Sequence, residues 1–492
     1  MERKFAVIMD QGSSSSRTLL LDNYGKIYCR AQNRISPEYR IGGRAEYDAE
    51  KLYQSQIASL KEVLKAIPKE AGTPILGMAS QRSTVVLWDS ANGMPLCPAM
   101  SWQDGRAEKV IGNVPLTNVQ THRLTGLYKT PYYSAPKIAW AIENLSSVRE
   151  AAEKGTLRAG PVSSYILWRL SGGRIFACDP SLAQRMLLMN LKTGDWDSRL
   201  LSAFGVKRQW LPQIMPSSGQ FGTVELEGYN MQVLSMLGDQ QAAMSGLGIG
   251  QSGEGALNYG TGAFLLVYTG GKPLRIPGLL DSYGWKRGNG KPEYFSEALV
   301  NSAGSMMEWL RTRMGLFSDI DEANNLCRNS KQRTLCLPVI GGLASPYWDF
   351  EVKTCFAGLT AASCKADLVR AAVDGIAFMI ADGLEKIKRK GIPVRRLKAG
   401  GGLSRMTYLM QFQADISGAE ISVMDESEET ALGAGREAFN GAGISTDFPE
   451  GKSRTFLPRI SEETRQRMLL QWRDFVRHCQ SGRKITNLTD LP

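Results

Sequence analysis

Histidine is almost absent from this chain of 492 residues, which contains only His122 and His478. A metal centre built from several histidines is therefore excluded, because such centres need two or three imidazole ligands. A Ser–His–Asp or Cys–His catalytic site would have to use one of these two residues. The composition favours a chemistry that depends on carboxylates and glycine-rich turns.

The eight cysteines include no Cys-x-x-Cys pair. That spacing begins most zinc ribbons and redox motifs, and scattered cysteines without it are typical of proteins from a reducing cytosol. No segment approaches the roughly eighteen apolar residues that a membrane span needs, and the apolar run near the N-terminus is too short for a signal peptide. We therefore expect a soluble, cytoplasmic protein with no membrane insertion.

Positive charge is in excess but is not concentrated. Lys and Arg number 59 and Asp and Glu 48, which gives a net charge of +11, yet no run of five or six like charges occurs. Nucleic-acid binding is one interpretation, and it predicts an affinity that falls steeply with salt. No nucleic-acid motif accompanies the charge, so we expect no nucleic-acid partner and interpret the excess as a solvated basic face.

A glycine-bearing strand–turn–strand pattern occurs twice, near residue 10 and near residue 260. Apolar runs at 5–9 and 18–21 flank the turn Gly-Ser-Ser-Ser-Ser, and residues 250–270 repeat the pattern. Two similar α/β domains that face each other across a cleft would explain this recurrence. The segment 245–250 is rich in Gly and Ser, and we predict domains at 1–247 and 248–492.

Apolar residues at helical spacing predict two long helices, at 47–66 and 366–390. Asp48 is placed to cap the first helix, and Pro68 follows its end. Gly391 is expected at the C-terminal cap of the second. Further predicted elements are a helix after Ser461 and strands at 75–79, 84–88 and 233–237.

The first turn, from Asp10 to Arg17, has the chemistry of a phosphate-binding loop. Gly12 lets the backbone approach a polyanion, and successive N–H groups and serine hydroxyls can bind phosphate oxygens. Asp10 is placed to hold a hydrated magnesium ion, and Arg17 adds a fork of donors. A Ser-rich hairpin turn is the structural alternative, and the Gly-x-x-x-x-Gly-Lys-Ser/Thr loop is absent from the sequence.

Two further glycine-rich turns lie at 258–262 (Asn-Tyr-Gly-Thr-Gly) and 399–404 (Ala-Gly-Gly-Gly-Leu-Ser). The last of these follows a predicted strand and precedes a predicted helix, where glycines would let a flat base or a ribose lie against the backbone. Each could be a plain glycine turn when taken alone. Three such loops, in two half-chains that each begin with one, suggest a nucleotide bound between the domains.

Asp239 follows an apolar strand and stands at the start of a predicted helix. It either caps this helix or acts as a general base, because a carboxylate in a cleft can accept the proton of an alcohol that attacks a γ-phosphate.

Polar and aromatic groups are concentrated at 80–83 (Ser-Gln-Arg-Ser) and 101–104 (Ser-Trp-Gln-Asp). These residue types suit a small polyhydroxylated ligand, whose hydroxyls form hydrogen bonds and whose C–H face packs on an aromatic ring. A half-buried structural tryptophan is the alternative for Trp102.

As a set, these segments resemble the FGGY carbohydrate kinases, and most of all the glycerol kinases among them. Residues 132–144, with Lys137 and Trp140 in place, nearly fit the first signature of the family, and residues 358–374 nearly fit the second. The resemblance implies an α/β, two-domain actin-like ATPase (ribonuclease-H-like) fold with an interdomain cleft that binds ATP and Mg²⁺. The similar segments run from DQGSSSSR through SQRS, SWQDGR, GDQQAA, NYGTGAF and SPYWD to GGLSRMTYLMQFQADI and ETALGAG.

The resemblance also implies a role for each site residue at its matching position. Asp239 would be the catalytic base and Asp10 the magnesium-side carboxylate. The residues implied to bind the nucleotide and its phosphates are Ser13, Ser14, Ser15, Arg17, Thr261, Gly304 and Gly402. Those implied to contact the polyol are Arg82, Ser83, Trp102, Tyr132, Asp239, Gln240 and Phe264.

The sequence departs from the glycerol kinase pattern in four places. Ser83 stands where these kinases usually have glutamate, and the lost carboxylate pairing costs about 1–3 kcal/mol while leaving room for a longer substrate. Glu308 and Met406 occupy positions where glutamine and asparagine usually lie near the nucleotide. The segment 224–232 lacks the Gly-Arg-rich loop of some regulated bacterial enzymes, so we predict that this regulation is absent.

The resemblance implies ATP-dependent phosphorylation of a terminal hydroxyl on a small polyol or sugar, with glycerol converted to glycerol 3-phosphate as the leading reaction. A longer polyol or a ketose, such as erythritol, a pentitol or a pentulose, is the alternative substrate. A non-catalytic ATP clamp of the actin type is the alternative of another class. Homodimers or homotetramers are common among such kinases.

Overall fold

The computed structural model describes residues 2–68, 71–424, 428–449 and 451–482. The chain forms two compact units, and it first passes from one to the other after Ile249. The predicted domain boundary between residues 247 and 248 stays a prediction. Unit 1 comprises Met1–Ile249, Ser282–Tyr294 and Glu428–Glu450, and unit 2 comprises Gly250–Asp281, Phe295–Ser427 and Gly451–Pro492.

The strands of the described residues are, in chain order, β1 Phe5–Gln11, β2 Ser15–Asp22, β3 Ile27–Arg34, β4 Glu38–Arg40, β5 Arg44–Tyr47, β6 Ile75–Ser80, β7 Val85–Asp89, β8 Ala99–Met100, β9 Leu157–Pro161, β10 Ala177–Cys178, β11 Met189–Asn190, β12 Asp195–Trp196, β13 Gln213–Ile214, β14 Ser218–Leu226, β15 Tyr229–Gly238, β16 Glu254–Tyr259, β17 Ala263–Gly270, β18 Leu280–Tyr283, β19 Tyr294–Val300, β20 Leu335–Leu337, β21 Cys355–Ala357, β22 Arg396–Gly400, β23 Glu420–Met424 and β24 Ser453–Phe456.

The α-helices are α1 Ala49–Lys65, α2 Glu108–Asn113, α3 Asn118–Thr125, α4 Ser134–Asn144, α5 Ser146–Lys154, α6 Val162–Leu170, α7 Pro180–Gln184, α8 Ser198–Phe204, α9 Asp239–Gly246, α10 Gly304–Thr312, α11 Ile320–Asn329, α12 Lys365–Arg389, α13 Thr407–Ser417, α14 Glu429–Gly441 and α15 Glu462–Ser481. Within the part of the chain that the structure describes, no helix combines the length and the apolar character that crossing a bilayer requires.

The central sheet of unit 1 has the strand order β14-β15-β6-β1-β2-β3. β1 pairs antiparallel with β2 and parallel with β6, and β6 pairs parallel with β15. β1 is buried along its whole length and β2 along most of it, which explains their continuous apolar runs. A second sheet of this unit has the order β4-β5-β8-β7-β9, and β8 ends just before Trp102.

A tight hairpin joins β14 to β15. Leu226 pairs with Tyr229, so Glu227 and Gly228 alone form the turn. Both have positive φ, 52° and 81°, which is the backbone of the two-residue hairpin turn that matches strand twist. The segment 224–232 is therefore a short hairpin, while the expected absence of regulation stays a prediction.

Unit 2 repeats the arrangement at the centre of unit 1. β16 pairs antiparallel with β17 and parallel with β22, as β1 does with β2 and β6. The sheet continues in the order β18-β19-β17-β16-β22-β23-β24. The two glycine-bearing patterns of the sequence thus correspond to two equivalent hairpins, each beside a parallel strand.

The predicted helices occur with small shifts at their ends. Asp48 caps α1 and accepts hydrogen bonds from the backbone N–H groups of Glu50 and Lys51. α12 ends at Arg389 with Lys390 as its cap, so Gly391 lies one residue beyond the position predicted for it. α15 packs on α12, where Trp472 Nε1 donates to Asp382 Oδ2 at 2.7 Å.

Helices α9 and α14 of unit 1 cross in backbone contact. A Cβ atom on Gly433 would lie 1.7 Å from the carbonyl oxygen of Ala242, and one on Gly246 would lie 1.9 Å from that of Glu429. No real side chain fits at these distances, so the crossing requires glycine in both helices. α14 therefore fixes the axis of α9, the helix that begins with Asp239.

We predict that Gly433→Ala lowers the free energy of unfolding by at least about 2 kcal/mol, because the two helices must separate to admit a methyl group. Gly112→Ala is the matched control, since Gly112 lies in α2 with no atom within 4 Å of an added Cβ. Alanine there should stabilise by up to about 1 kcal/mol. Urea unfolding followed by circular dichroism measures both variants, and equal stabilities would contradict the backbone contact.

Candidate active site

Three parallel strands of unit 1 bring polar residues to one edge of the sheet. Asp10 lies at the end of β1, Arg82 follows β6 and Asp239 follows β15. The register places Ser80, the last residue of β6, opposite the last residues of both neighbouring strands. Ligands of open α/β sheets bind at the carboxyl ends of the strands, which makes this edge the candidate site.

Asp10 is buried, with 1% of its surface exposed, and interacts with charges of both signs. Arg17 is its cross-strand neighbour and donates from Nη2 to Asp10 Oδ2. Burial raises the pKa of Asp10 to about 6; the Arg17 guanidinium opposes this rise, and the carboxylate of Asp239 adds to it. Asp10 and Asp239, the predicted metal ligand and base, therefore lie within electrostatic reach of each other.

Arg17 is held between two carboxylates. Besides its bond to Asp10, its Nη1 donates to Glu428 Oε2 at 3.0 Å. Arg30 Nη1 lies 3.5 Å from the other oxygen of Glu428. Charge-assisted bonds on both ends of the guanidinium fix its orientation.

The turn between β1 and β2 is shorter than the sequence pattern predicts. β2 begins at Ser15, which is buried, so the turn consists of Gly12, Ser13 and Ser14. Gly12 N donates to the carbonyl oxygen of Ser15 at 2.9 Å and closes it. Ser13 and Ser14 are therefore the predicted phosphate-binding serines that lie in the turn itself.

Asp239 is the first residue of α9, and Gly238 takes the N-cap position. Asp239 Oδ1 accepts a hydrogen bond from Gln240 N at 2.8 Å and lies 3.6 Å from Arg82 Nε. The Asp239 side chain is 28% exposed and that of Arg82 11% exposed. Asp239 therefore does not occupy the N-cap position, and its role as the general base stays a prediction.

Hydrogen bonds join the phosphate turn to the predicted substrate residue Trp102. Trp102 Nε1 donates to Ser13 Oγ at 3.0 Å, and its backbone N–H donates to Thr84 Oγ1 at 3.0 Å. Thr84 Oγ1 donates to Gln81 Oε1 at 2.8 Å, and Gln81 Nε2 donates to the carbonyl oxygen of Gly12 at 3.1 Å. This closed network couples the position of the indole to that of the turn.

The backbone carbonyl groups of Ser83 and Tyr132 share one hydrogen-bond donor. Ser83 follows Arg82 and has a φ of 66°, a left-handed conformation that is uncommon for serine. Tyr132 precedes α4 and is 46% exposed. The carbonyl oxygens of both residues accept hydrogen bonds from Lys137 Nζ, at 3.2 and 2.6 Å.

In unit 2, the turn 260–262 between β16 and β17 supports the start of α10. Gly304 N donates to the carbonyl oxygen of Gly260 at 3.0 Å, and Ser305 N donates to that of Thr261 at 3.0 Å. The structure therefore brings the predicted nucleotide residues Thr261 and Gly304 together.

The third glycine segment lies beside this turn. β22 pairs parallel with β16, and Gly400 is opposite Asn258. Gly401 has a φ of 89°, and a Cβ atom there would lie 2.4 Å from the carbonyl oxygen of Tyr259, so glycine is required. Gly402 is exposed, with no atom within 4 Å of an added Cβ, which leaves its backbone open to a ligand.

The remaining predicted residues of unit 2 have different surroundings. Phe264 is half-buried on β17, opposite Asn258. Glu308 is exposed on α10 and forms an ion pair with Arg311 at 2.7 Å. Met406 is 1% exposed. A surface ion pair and a core position do not favour nucleotide contacts by Glu308 and Met406.

Comparisons with known proteins show the family to which the chain belongs. Models of the N-terminal and C-terminal domains of the FGGY family of carbohydrate kinases match residues 5–246 and 255–439. Glycerol kinases from Shewanella pealeana and Thermus brockianus are 33% and 35% identical to this chain, over 97% of it and 99% of their own length. The chain belongs to the FGGY carbohydrate kinases.

Solved structures confirm the fold of this FGGY kinase. The glycerol kinase of Plasmodium falciparum with ADP has a TM-score of 0.88 at 27% identity, over 97% of this chain and 98% of its own. A gluconate kinase from Lactobacillus acidophilus has a TM-score of 0.85 at 22% identity, over 96% and 98%. The predicted α/β, two-domain actin-like fold is confirmed, and the protein is an ATP-dependent carbohydrate or polyol kinase rather than a non-catalytic clamp.

The kinase has residues that fit a magnesium ion. Mg²⁺ needs only one or two carboxylates, because water and phosphate oxygens complete its coordination shell. Burial disfavours the charge on Asp10, and a bound cation would offset that cost. Within the described residues, no group of three or more His, Cys, Asp or Glu side chains is placed to hold a metal.

Sequence reasoning did not identify Glu428, Gln81 or Thr84 as parts of this site. Glu428 reaches Arg17 from 411 positions away in sequence, and no local pattern marks such a pair. Gln81 lies inside the segment 80–83 and Thr84 begins the predicted strand 84–88, but neither pattern indicates that these side chains join two loops. An apolar strand followed by several polar residues was the available signal for them.

We predict that Asp10→Asn stabilises the kinase at pH 8 by up to about 3 kcal/mol. The folded-state pKa of Asp10, about 6, lies above its usual 3.8, so wild-type stability falls as the pH rises from 4 through 6. Asparagine carries no charge and avoids this loss. The difference in unfolding free energy between variant and wild type should therefore shrink towards zero at pH 4. A pH-independent difference, or a less stable variant at pH 8, would contradict the assignment.

Proposed function

We propose that this kinase transfers the γ-phosphoryl group of ATP to a terminal hydroxyl of glycerol, giving glycerol 3-phosphate and ADP. The observation that carries the proposal is the convergence of Asp10, Arg82 and Asp239 at the carboxyl ends of three parallel strands. Relatives named glycerol kinase, 31–35% identical over nearly the whole chain, support glycerol as the substrate.

Asp239 is the proposed general base. A carboxylate oxygen of Asp239 accepts the proton of the terminal hydroxyl while the hydroxyl oxygen forms its bond to the γ-phosphorus. The bond from that phosphorus to the bridging oxygen of ADP breaks, and ADP leaves. The proposed role of Arg82, which lies 3.6 Å from Asp239, is to bind a neighbouring hydroxyl and to keep the attacking oxygen in line.

Asp10 is the proposed magnesium ligand. When bound, Mg²⁺ supplies positive charge that neutralises the transferring phosphoryl group. Arg17 holds the Asp10 carboxylate in a fixed orientation, and its second bond, to Glu428, fixes Arg17 in turn. Asp10 would then hold the ion without a change of side-chain conformation, which would lower the entropy that binding costs.

The turns of both units are the proposed phosphate and nucleotide contacts. Ser13 and Ser14 present backbone N–H groups and hydroxyls in the turn after β1, where they can donate to phosphate oxygens. In unit 2, Thr261 and Gly304 adjoin, and the exposed backbone of Gly402 allows close approach of the nucleotide. The cytoplasmic location and the homodimer or homotetramer expected from the sequence remain predictions.

Ser83 favours a second candidate, a kinase that accepts a polyol or ketose longer than glycerol. Its side chain is shorter than the glutamate usual at this position, and a serine hydroxyl cannot accept from two substrate hydroxyls as a carboxylate does. Space near Arg82 would then accommodate an additional carbon with its hydroxyl. Erythritol, pentitols and ketopentoses are the substrates that this candidate predicts.

We predict that Asp239→Asn abolishes phosphoryl transfer, with kcat reduced at least about 100-fold, while the Kd for ATP stays within a factor of about three. The amide keeps the size of the side chain but cannot accept the proton. Asp195→Asn, at an exposed carboxylate of the same unit, is the control and should retain full activity. A coupled ADP-release assay and calorimetric titration with ATP measure the two quantities. Near-normal turnover by Asp239→Asn would refute the proposed base.

We also predict that Ser83→Glu lowers the KM for glycerol about tenfold, because the carboxylate restores a buried pairing with the substrate hydroxyls. Ser202→Glu, on an exposed position of α8, is the matched control for the added charge. The assay compares glycerol, erythritol, pentitols and ketopentoses in both variants and the wild type. If glycerol is inert and a longer substrate is phosphorylated, the second candidate replaces the first.

A further inference from the structure

The ammonium group of Lys137 is buried in unit 1, outside the set of residues assigned to catalysis. Lys137 lies in the first turn of α4 and is 0% exposed. A buried charge is costly unless every donor finds a partner. Burial lowers the pKa of this lysine to about 7; the charge of Asp104 opposes the fall, and that of Arg106 adds to it.

Three backbone carbonyl oxygens satisfy this ammonium group. Lys137 Nζ donates to Ser101 O at 2.5 Å, to Tyr132 O at 2.6 Å and to Ser83 O at 3.2 Å. An ammonium has three N–H donors, so each bond uses one. Each of these carbonyl groups could have accepted a hydrogen bond from a donor in its own segment. Here one nitrogen atom, Lys137 Nζ, donates to all three.

The three carbonyls belong to the segments that carry the predicted substrate contacts. Ser83 directly follows Arg82, the peptide of Ser101 continues into Trp102, and Tyr132 is itself a predicted contact. The segment of Ser83 follows β6, that of Ser101 follows β8, and that of Tyr132 precedes α4. No helix or strand therefore joins all three segments. Trp102 N and Thr84 Oγ1 also join the first two segments, but Lys137 Nζ bonds to all three.

We infer that Lys137 is a positioning residue, which holds the segments of Arg82, Trp102 and Tyr132 in one arrangement and so determines the binding and alignment of the substrate polyol. The inference rests on the proposed function. The three bonds of Lys137 go to the segments of the predicted polyol contacts and not to the predicted nucleotide residues, so its loss should affect the polyol more than ATP. A displacement of about 1 Å at such contacts is enough to lower a rate about 100-fold.

The experiment compares Lys137→Met with Lys129→Met. Methionine fills the volume of the lysine stem but has no N–H donors. Lys129 is the matched control, because its Nζ also donates to two backbone carbonyls, Val114 O at 3.2 Å and Leu116 O at 2.9 Å, in the same unit. Lys137→Gln is a second variant that keeps two donors.

We expect Lys137→Met to lower kcat/KM for glycerol about 100-fold, with the KM for ATP within a factor of about three of the wild-type value. Lys137→Gln should show a smaller loss, and Lys129→Met should be close to wild type. Circular dichroism and thermal unfolding show whether each variant is folded.

Three results would overturn the inference. The first is an unchanged kcat/KM for glycerol in Lys137→Met. The second is a loss of kcat/KM in Lys129→Met as large as that in Lys137→Met. The third is a failure of both Lys137 variants to fold, which would make the lysine a requirement of the fold as a whole. Wild-type protein that phosphorylates no polyol would instead refute the proposed function, and the inference with it. A folded Lys137→Met variant with a selective defect towards the polyol supports it.

Discussion

The backbone contact between α9 and α14 is the constraint on which the site of unit 1 depends. α9 begins with Asp239, and its axis is set by α14 at a distance that only Gly246 and Gly433 permit. α14 is fixed to the sheet in turn, because Ser235 Oγ of β15 donates to the carbonyl oxygen of Ala434 at 2.8 Å. The same strand leads directly into Asp239, so the carboxylate is positioned from both sides.

The two units share one arrangement of strands but carry different residues at its edge. In each, an antiparallel hairpin lies beside a parallel strand, and the turn of the hairpin lies at the edge where that strand ends. In unit 1 the adjoining strand ends contribute charged side chains, Arg82 and Asp239. In unit 2 the adjoining strand β22 is followed by Gly401, and Gly304 at the start of α10 donates to the turn. Side-chain chemistry, rather than topology, therefore distinguishes the proposed catalytic edge from the proposed nucleotide edge.

Local pattern was sufficient to predict α1, α12 and the hairpin of β1 and β2, because each buries a continuous face or run of apolar residues. Two-residue strands such as β8 and β10 carry too few residues for any period and were not predicted. The pairing of Arg17 with Glu428 depends on the tertiary fold, as does the convergence of three carbonyl groups on Lys137. The family signature includes Lys137. Every residue has a backbone carbonyl group, however, so the sequence does not indicate which carbonyl groups this lysine binds.

The late return of the chain to unit 1 has a consequence for biosynthesis. α14 and Glu428 belong to unit 1, yet about 180 residues of chain separate them from Ile249. At about 5–20 residues per second, the ribosome needs roughly 10 to 40 s to supply this segment after the first part of unit 1 has been made. During that interval the sheet lacks the helix that covers it and Arg17 lacks its second carboxylate. The nascent kinase therefore exposes apolar surface of unit 1 until α14 has been synthesised.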